Sequence, residues 1–533
     1  MKKFQRFLSV FVMILILLSP ISRANADEDT FKVGMEVNYA PFNFSQVDDS
    51  NGAVEVSNSP SEYANGYDVQ MAKKIADKLG KKLEIQKVEW DGLAPALTSG
   101  KIDAIIAGMS PTAERKKSID FSDNYYTSNL VIVTRKDNEF ANAKSLDDLS
   151  GMSVTGQLNT FHYSVIDQIN NVDKKEAMES FPSMISAVLA SKVDGYVSEK
   201  PGAMAAVFAN DDLTFIDFED GKGFETDPED TSIAVGLQKN SDLLDPVNKA
   251  LSEISEKERD EIMNDMVKIS QNEEGEEEAV VTNKGFFEQM KEILSQYSTM
   301  FLNGAKNTMI IAIISTLIGF LIGLIVAIIK KISVDKRKNP IGYFFSKLIN
   351  FILSIYIEVF RGTPMMVQAM LIFYGSKQFF GIDMSSMSAA FLIVSINTGA
   401  YLSEVVRGGI NSVDEGQMEA CKSIGMSHTQ SMVHVILPQA IKSILPAIGN
   451  EFVINIKDTS VLNVISVTEL FFMSKSIAGS TYQIFQTYLV TAIIYFVLTF
   501  VVTRIIMLIE KKMNNKDFIL ESSTGDRHAA RNN

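Results

Sequence analysis

The run "TMIIAIISTLIGFLIGLIVAII" (308–329) divides the chain. Only Ser, Thr and Gly relieve its apolar side chains, and about 20 such residues carry a helix across a bilayer core. Lys330, Lys331, Lys336, Arg337 and Lys338 come directly after it. A basic cluster at the end of a span marks the cytoplasmic side, so this span is expected to run from outside to inside. Further apolar stretches at about 344–375, 387–406, 436–456 and 484–509 bring the expected crossings to five. The last ends inside, beside Lys511, Lys512 and Lys516. The second stretch contains "EVFRGTP" (358–364), whose Pro364 predicts one broken helix, with two half-crossings as the alternative.

Upstream, the composition changes. The whole chain has 533 residues, 46 % of them hydrophobic, and a formal charge of −15. The acidic excess sits before the first span, and no basic stripe stands out beyond the span-flanking clusters, which argues against nucleic acid as a partner. Cys421 is the single cysteine, so no intrachain disulfide can brace the soluble half. Residues 1–26, "MKKFQRFLSVFVMILILLSPISRANA", have a basic start, an apolar core from Phe7 to Leu18 and an A-x-A site at Ala24 and Ala26. These are the three parts of a secretory signal. An uncut anchor is the alternative, and either one exports the residues downstream of it. The expected exported domain is 27–270 and the expected membrane domain 304–512, with a cytoplasmic tail at 513–533. Between the domains, "QNEEGEEEAVVTNKG" (271–285) reads as a solvated tether. Phe287, Met290, Ile293, Leu294 and Tyr297 then form a stripe suited to an amphipathic helix on the membrane surface, or to an extension of the first span.

The exported half alternates strand and helix signals. "FKVGMEV" (31–37), "LEIQKVEW" (83–90) and "IDAIIAGM" (102–109) read as strands. "YDVQMAKKIADKLG" (67–80) puts Val69, Ala72, Ala76 and Leu79 on one helical face, with Gly80 as the stop. Alternation of this kind predicts parallel sheets, whose ligands bind beyond the carboxyl ends of the strands. In "IDAIIAGMSPTAERKKSIDFSD" (102–123) a strand ends at Gly108, and a helix is expected to start near Pro111. Helix-start amides attract an anion. Ser110 adds a hydroxyl, and Arg115 a two-pronged donor matched to a carboxylate. A surface pairing of Arg115 with Glu114 or Asp120 is the plain alternative.

"YAPFNF" (39–44), the helix at 67–80, the block from Glu89 to Tyr126 and "VDGYVSEKP" (193–201) resemble the substrate-binding proteins of ABC importers for polar amino acids. The resemblance spans nearly all of 31–270. It implies an α/β two-lobe periplasmic-binding-protein-like fold of type II. Lobe one would be 31–133 plus 232–270 and lobe two 134–231, joined by crossings near 129–137 and 230–238 and closing on the ligand by a hinge. It also implies roles. Arg115 would take the ligand α-carboxylate, aided by Ser110, the Gly108 backbone and Thr160. Glu199, where relatives more often carry Asp, would take the α-ammonium. Tyr39 and Trp90 would wall the ligand side chain, and Glu36 would face its end with Gln157 nearby. A second buried acid is costly unless paired, which favours arginine or lysine, with aromatic contact adding about 0.5–2 kcal/mol. Glutamine, donating to Glu36 and accepting from Gln157, is the competing cargo.

The stretch "EACKSIGMSHTQSMVHVILP" (419–438) lies between two spans on the expected cytoplasmic side. "DEGQMEACKSI" (414–424) suits a helix stopped at Gly425, and "SHTQSMVHVI" (427–436) a second one leading to Pro438. Glu419-Ala420-Cys421, Gly425 and the "VILP" of Val435–Pro438 resemble the E-A-A motif of ABC importer permeases, with Cys for the second Ala and Val for Ile. "GAYLSEVVRGGINSVDEGQMEA" (399–420) and "LPQAIKSILPAIGNEFVINIKDTSVLNVISVTEL" (437–470) are similar to its amino-acid branch. The resemblance implies an all-α five-helix transmembrane permease whose Glu419, Ala420 and Gly425 lie on a short helix that fits a cytoplasmic ATPase. Glu451, deep in its span, is a pathway candidate, with a structural hydrogen bond as the alternative.

The sequence contains no G-x-x-x-x-G-K-[ST] phosphate loop, and nothing in it calls for a cofactor or a metal. It therefore reads as a transport subunit rather than an enzyme, in the cell membrane, with the binding domain outside and the C-terminus inside. The expected partners are a homodimeric ATPase that supplies ATP hydrolysis, a second copy of this chain, a free amino acid and membrane lipid. A ligand-gated channel would need a filter such as T-V-G-Y-G, and a sensor would need a signalling domain after the last span. Both are remote alternatives.

Overall fold

The computed structural model describes residues 29–272, 285–332, 334–481 and 483–529. The expected signal at 1–26 and most of the acidic tether lie outside the described residues, as do the side chains beyond 513. The chain forms two compact units. One comprises the described part of Met1–Gly304 with Phe373–Ser386 and Asn463–Thr491. The other comprises Ala305–Ile372, Met387–Leu462 and the described part of Ala492–Asn533.

In the first unit, two five-stranded sheets repeat one plan. The first runs in the order Lys82–Lys87, Thr30–Met35, Ala104–Ile105, Ser232–Leu237, Asp120–Thr127. Its first three strands are parallel, and Ser232–Leu237 pairs antiparallel to both of its neighbours. The second runs Asp173–Lys174, Ser153–Thr155, Gly195–Glu199, Leu130–Arg135, Leu213–Ile216. Here too three parallel strands meet a strand of opposite sense. Phe31, Val33 and Met35 are fully buried and, spaced two apart, form the core face of their strand. The helix Tyr67–Leu79 ends where expected, with Gly80 at φ 65° and the Lys81 amide donating to the Ala76 carbonyl at 3.0 Å.

One boundary moves. Leu130 already pairs with Glu199 in the second sheet, while Thr127 pairs with Ser232 in the first. The first crossing therefore lies at Ser128 and Asn129, not at the expected lobe boundary after residue 133. The antiparallel strand carries the chain directly into lobe two, because its apolar face, with Leu130 and Ile132, belongs to that lobe's core.

The first unit also contains a helix from far along the chain, Leu470–Thr481. It packs on the strands Asn38–Tyr39 and Asn43–Gln46 of lobe one and on the helix Phe181–Leu189 of lobe two. Gly479 permits this approach, since a Cβ there would lie 2.8 Å from the Asn38 Cβ. Beside it Lys87 is ion-paired with Glu62 at 2.6 Å, both nearly inaccessible, and Lys87 also reaches the Ser476 hydroxyl. A buried pair of this kind holds only if each charge is fully partnered, and Ser59 completes Glu62. The helix Phe286–Gln296 stands apart from the first span, interrupted at Tyr297 (φ −103°). Its Phe286 meets Phe485, and its Gln289 accepts from Gln486 at 2.8 Å.

Among the described residues, five helical segments are long and apolar enough to cross a bilayer: Ser298–Lys331, Pro340–Gly362, Ser386–Ser412, His428–Ile465 and Ile484–Met513. The window of Ser386–Ser412 is 67 % buried and that of Pro340–Gly362 only 6 %, so the former is central in its unit and the latter turns its apolar side chains outward. Gly323 lets the first span touch the backbone at Leu402 and Ser403, where a Cβ would stand 2.8–2.9 Å away.

The expected single broken helix at 344–375 is instead two helices, Pro340–Gly362 and Met365–Phe380. Thr363 is extended (φ −119°, ψ 146°), as a residue before proline prefers. Gln368 satisfies the freed backbone, donating to the Phe360 carbonyl at 3.0 Å and the Thr363 carbonyl at 2.9 Å. Asn397 donates to the Phe360 carbonyl and to Gln368 Oε1, each at 3.0 Å. At membrane depth such carbonyls need protein partners.

Candidate functional site

The nine residues expected at the ligand line one cleft between the two lobes: Glu36, Tyr39, Trp90, Gly108, Ser110, Arg115, Gln157, Thr160 and Glu199. The topology explains the convergence. Glu36 follows the strand Thr30–Met35, and Gly108 and Ser110 follow Ala104–Ile105. Trp90 opens the helix after Lys82–Lys87. Gln157 and Thr160 follow Ser153–Thr155, and Glu199 closes Gly195–Glu199. These seven stand at or just beyond the carboxyl ends of parallel strands.

Arg115 spans the cleft. It donates to the Ser110 carbonyl at 3.0 Å in lobe one and to the Asn159 carbonyl at 3.1 Å in lobe two, and its guanidinium lies 5.1 Å from the Trp90 ring centroid. Burial lowers its pKa to about 10, against the pull of Asp230 and Glu114, so it stays a cation at neutral pH. The helix expected at Pro111 does not form. Only a single turn, Arg115–Lys117, is present, so helix-start amides contribute nothing here and the positive charge at this end of the cleft is that of Arg115. Gly108 sits at φ 63°, and a Cβ would lie 3.3 Å from the Tyr39 ring. Its amide bonds the buried Asp68 carboxylate, whose pKa burial raises to about 7.

Opposite, Glu199 is buried between two partners that composition did not reveal together. His162 Nε2 stands 2.9 Å from its carboxylate, and the Tyr39 hydroxyl donates to it. Burial alone would raise the Glu199 pKa, but these contacts outweigh it and hold the group below the usual range. Tyr39 stacks flat on Phe181, ring centroids 4.1 Å apart. His162 and Phe181 were not singled out in the sequence. The signal available was their position, each in the first turn of a helix after a lobe-two strand. Thr160 Oγ1 donates to the Gln157 carbonyl at 2.7 Å.

The remaining end of the cleft is acidic. Glu36 is 4 % exposed. Burial, with Glu89 and Asp91 adding repulsion, raises its pKa to about 8, against Lys475 and a hydrogen bond from Gln157. Asp91 also accepts from Asn159 of lobe two at 2.9 Å.

The coupling and pathway candidates lie elsewhere. Glu419 and Ala420 are exposed on the helix Glu415–Ser423. Gly425, at φ 81°, ends it, with the Met426 amide donating to the Cys421 carbonyl at 3.0 Å. Cys421 is buried on the opposite face. The stretch after it does not stop at Pro438. A helical turn, His428–Ser431, runs through a π turn, Met432–Ile436, into the helix Leu437–Asp458. The wider turn accommodates a proline that has no amide to donate. Glu451 is half-buried there. One turn on, Asn455 forms a buried knot, donating to Thr316 Oγ1 at 2.8 Å and accepting from Thr398 Oγ1 at 3.2 Å.

Residues 31–267 match the bacterial extracellular solute-binding proteins, family 3, and residues 339–515 match the binding-protein-dependent transport system inner membrane component. The probable amino-acid permease protein YxeN of Bacillus subtilis (strain 168) is 39 % identical over 209 residues, which are 39 % of this chain and 88 % of YxeN. The chain belongs to the amino-acid ABC permeases and carries its own solute-binding domain. Within this importer family it is 32 % identical to the arginine transport system permease protein ArtQ of the same organism, over 40 % of this chain and 93 % of ArtQ. It is 30 % identical to the probable glutamine permease protein GlnM of that organism, over 42 % of this chain and 96 % of GlnM. Its binding domain is similar to a Streptococcus pneumoniae amino-acid substrate-binding protein solved with L-arginine. The identity is 26 %, over 46 % of this chain and 98 % of that one, with a TM-score of 0.39. The importer chain is thus a membrane protein with a periplasmic-type capture domain.

Proposed function

We propose that this amino-acid importer takes up a cationic amino acid, arginine or lysine, with ATP hydrolysed by a separate cytoplasmic ATPase. The observation that carries the reading is the acid end of the cleft, where Glu36 is enclosed with Glu89 and Asp91 beside it. An enclosed carboxylate whose neighbours repel its charge is relieved by a cation. Arg115 and Glu199 suit the α-carboxylate and α-ammonium common to every amino acid, which leaves Glu36 to meet the side chain. Relatives named for arginine and for glutamine transport are about equally similar, so the acid end carries the choice.

The same reading places the signal at 1–26, residues 27–270 outside the cell, 304–512 in the membrane and Glu419, Ala420 and Gly425 against the ATPase. The outward apolar face of Pro340–Gly362 is left to lipid or to a second copy in a two-fold dimer. Calorimetry on the full chain in lipid nanodiscs tests the cargo. Micromolar or tighter binding is expected for arginine or lysine. Binding of glutamine with none of arginine or lysine would end the cationic reading.

A further inference from the structure

The helix Leu470–Thr481 belongs to the stretch matched by the permease family, yet it is seated on both lobes of the capture domain. Its Lys475 reaches Glu89 Oε2 at 2.6 Å, and the two side chains are 13 % and 15 % exposed. Glu89 directly precedes Trp90 on the cleft wall, and Lys475 acts electrostatically on Glu36 itself. Burial works against the lysine's charge, but Glu89 outweighs it and holds its pKa above the ordinary value. The seat is fixed on either side, by Ser476 on Lys87 and by Gly479 against Asn38. Lys475 is thereby a cation supplied by the permease to the acid end of the amino-acid cleft.

We infer that Lys475 competes with the positive side chain of the cargo for the Glu36–Glu89–Asp91 acids, so that seating of the permease helix weakens the hold on a cationic amino acid and aids its release. The inference rests on the cationic reading above. Its chemistry is an exchange of one ammonium or guanidinium for another, with no bond made or broken. When the helix is not seated, Glu89 lacks its lysine partner and the acids are open to the cargo. When it is seated, the cargo charge and Lys475 repel each other, and by linkage each weakens the other's binding by the same factor. A neutral amino acid held by Arg115 and Glu199 feels none of this. Selection by charge at capture is thus coupled to release at the channel mouth.

The test uses the full chain in nanodiscs and two probes of nearly equal shape, L-arginine and neutral L-citrulline. Lys475→Gln is expected to bind arginine about tenfold more tightly than the parent, the effect of removing a cation near buried acids at an effective dielectric of about 20. Citrulline affinity stays within about twofold, which also reports that the cleft is intact, and Lys475→Arg keeps the parent arginine value. Equal arginine affinity in parent and Lys475→Gln, or an equal change for both probes, overturns the inference and leaves the cationic cargo standing. If neither parent nor variant binds arginine while a neutral amino acid binds, the cargo reading falls and the inference falls with it.

Discussion

If the cargo is cationic and meets Glu36, as proposed, its binding should release a proton. The Glu36 pKa is raised to about 8 by burial and by Glu89 and Asp91, with Lys475 and Gln157 opposing. At pH 7 a group of that pKa is protonated about 90 % of the time. A guanidinium or ammonium beside it lowers its pKa, so binding expels up to about 0.9 proton at pH 7. The sign comes from the direction of that change: the cation is bound tightly when Glu36 is ionised, and the advantage is lost as pH falls below 8. Between pH 6 and pH 8 the unbound site passes from about 1 % to about 50 % ionised, which predicts roughly a 50-fold gain in arginine affinity over that range. Calorimetry of the full chain in two buffers of different ionisation enthalpy reads the proton count directly. Citrulline serves as the control for every other titrating group, and Glu36→Gln should abolish the release. Equal proton counts for arginine and citrulline would refute the reasoning.

Other consequences are simpler to measure. Arg115→Lys replaces a guanidinium that bridges both lobes by a point charge, and should weaken binding of any amino acid by about 2–3 kcal/mol, seen in calorimetry as a 30- to 150-fold loss. Gln368→Leu takes the side-chain donor from the Thr363 carbonyl and the Oε1 acceptor from Asn397, which still donates to Phe360, and should destabilise the detergent-purified protein by about 1–3 kcal/mol, read as a lower thermal midpoint with arginine affinity unchanged. Gly425→Val forces a β-branched residue to φ 81° in open space. About 1–2 kcal/mol of strain should loosen the end of the 415–423 helix, cutting arginine-stimulated ATP hydrolysis by the assembled complex while binding in the outer cleft is kept.

Much of this molecule was legible from local pattern. Long apolar runs and flanking lysines specify spans because lipid leaves a backbone no partner but itself. Gly108, Ser110 and Arg115 could be named because they follow a strand, where parallel sheets place ligands, whereas the other six cleft residues came from the resemblance to amino-acid binding proteins. The expected helix at Pro111 failed because a serine, a proline and a nearby acid are only a start signal. No apolar stripe comes after them to hold a helix in place, and the chain turns once and enters the strand Asp120–Thr127. The break at Pro364 was visible, but its repair by Gln368 and Asn397 was not, since Asn397 comes from another helix.

What the amino-acid order settled alone was the division into an α/β capture domain and a helical membrane domain, together with nine residues that line the cleft between the lobes. Periodicity, charge and motif spacing are short-range properties and are written residue by residue. Only the tertiary structure decided that His162 and Tyr39 share Glu199, that Asn455 ties together three spans, and that Lys475 sits against an acid 386 positions before it. Such pairings depend on which surfaces pack together, and packing is a property of the whole chain that no local stretch encodes.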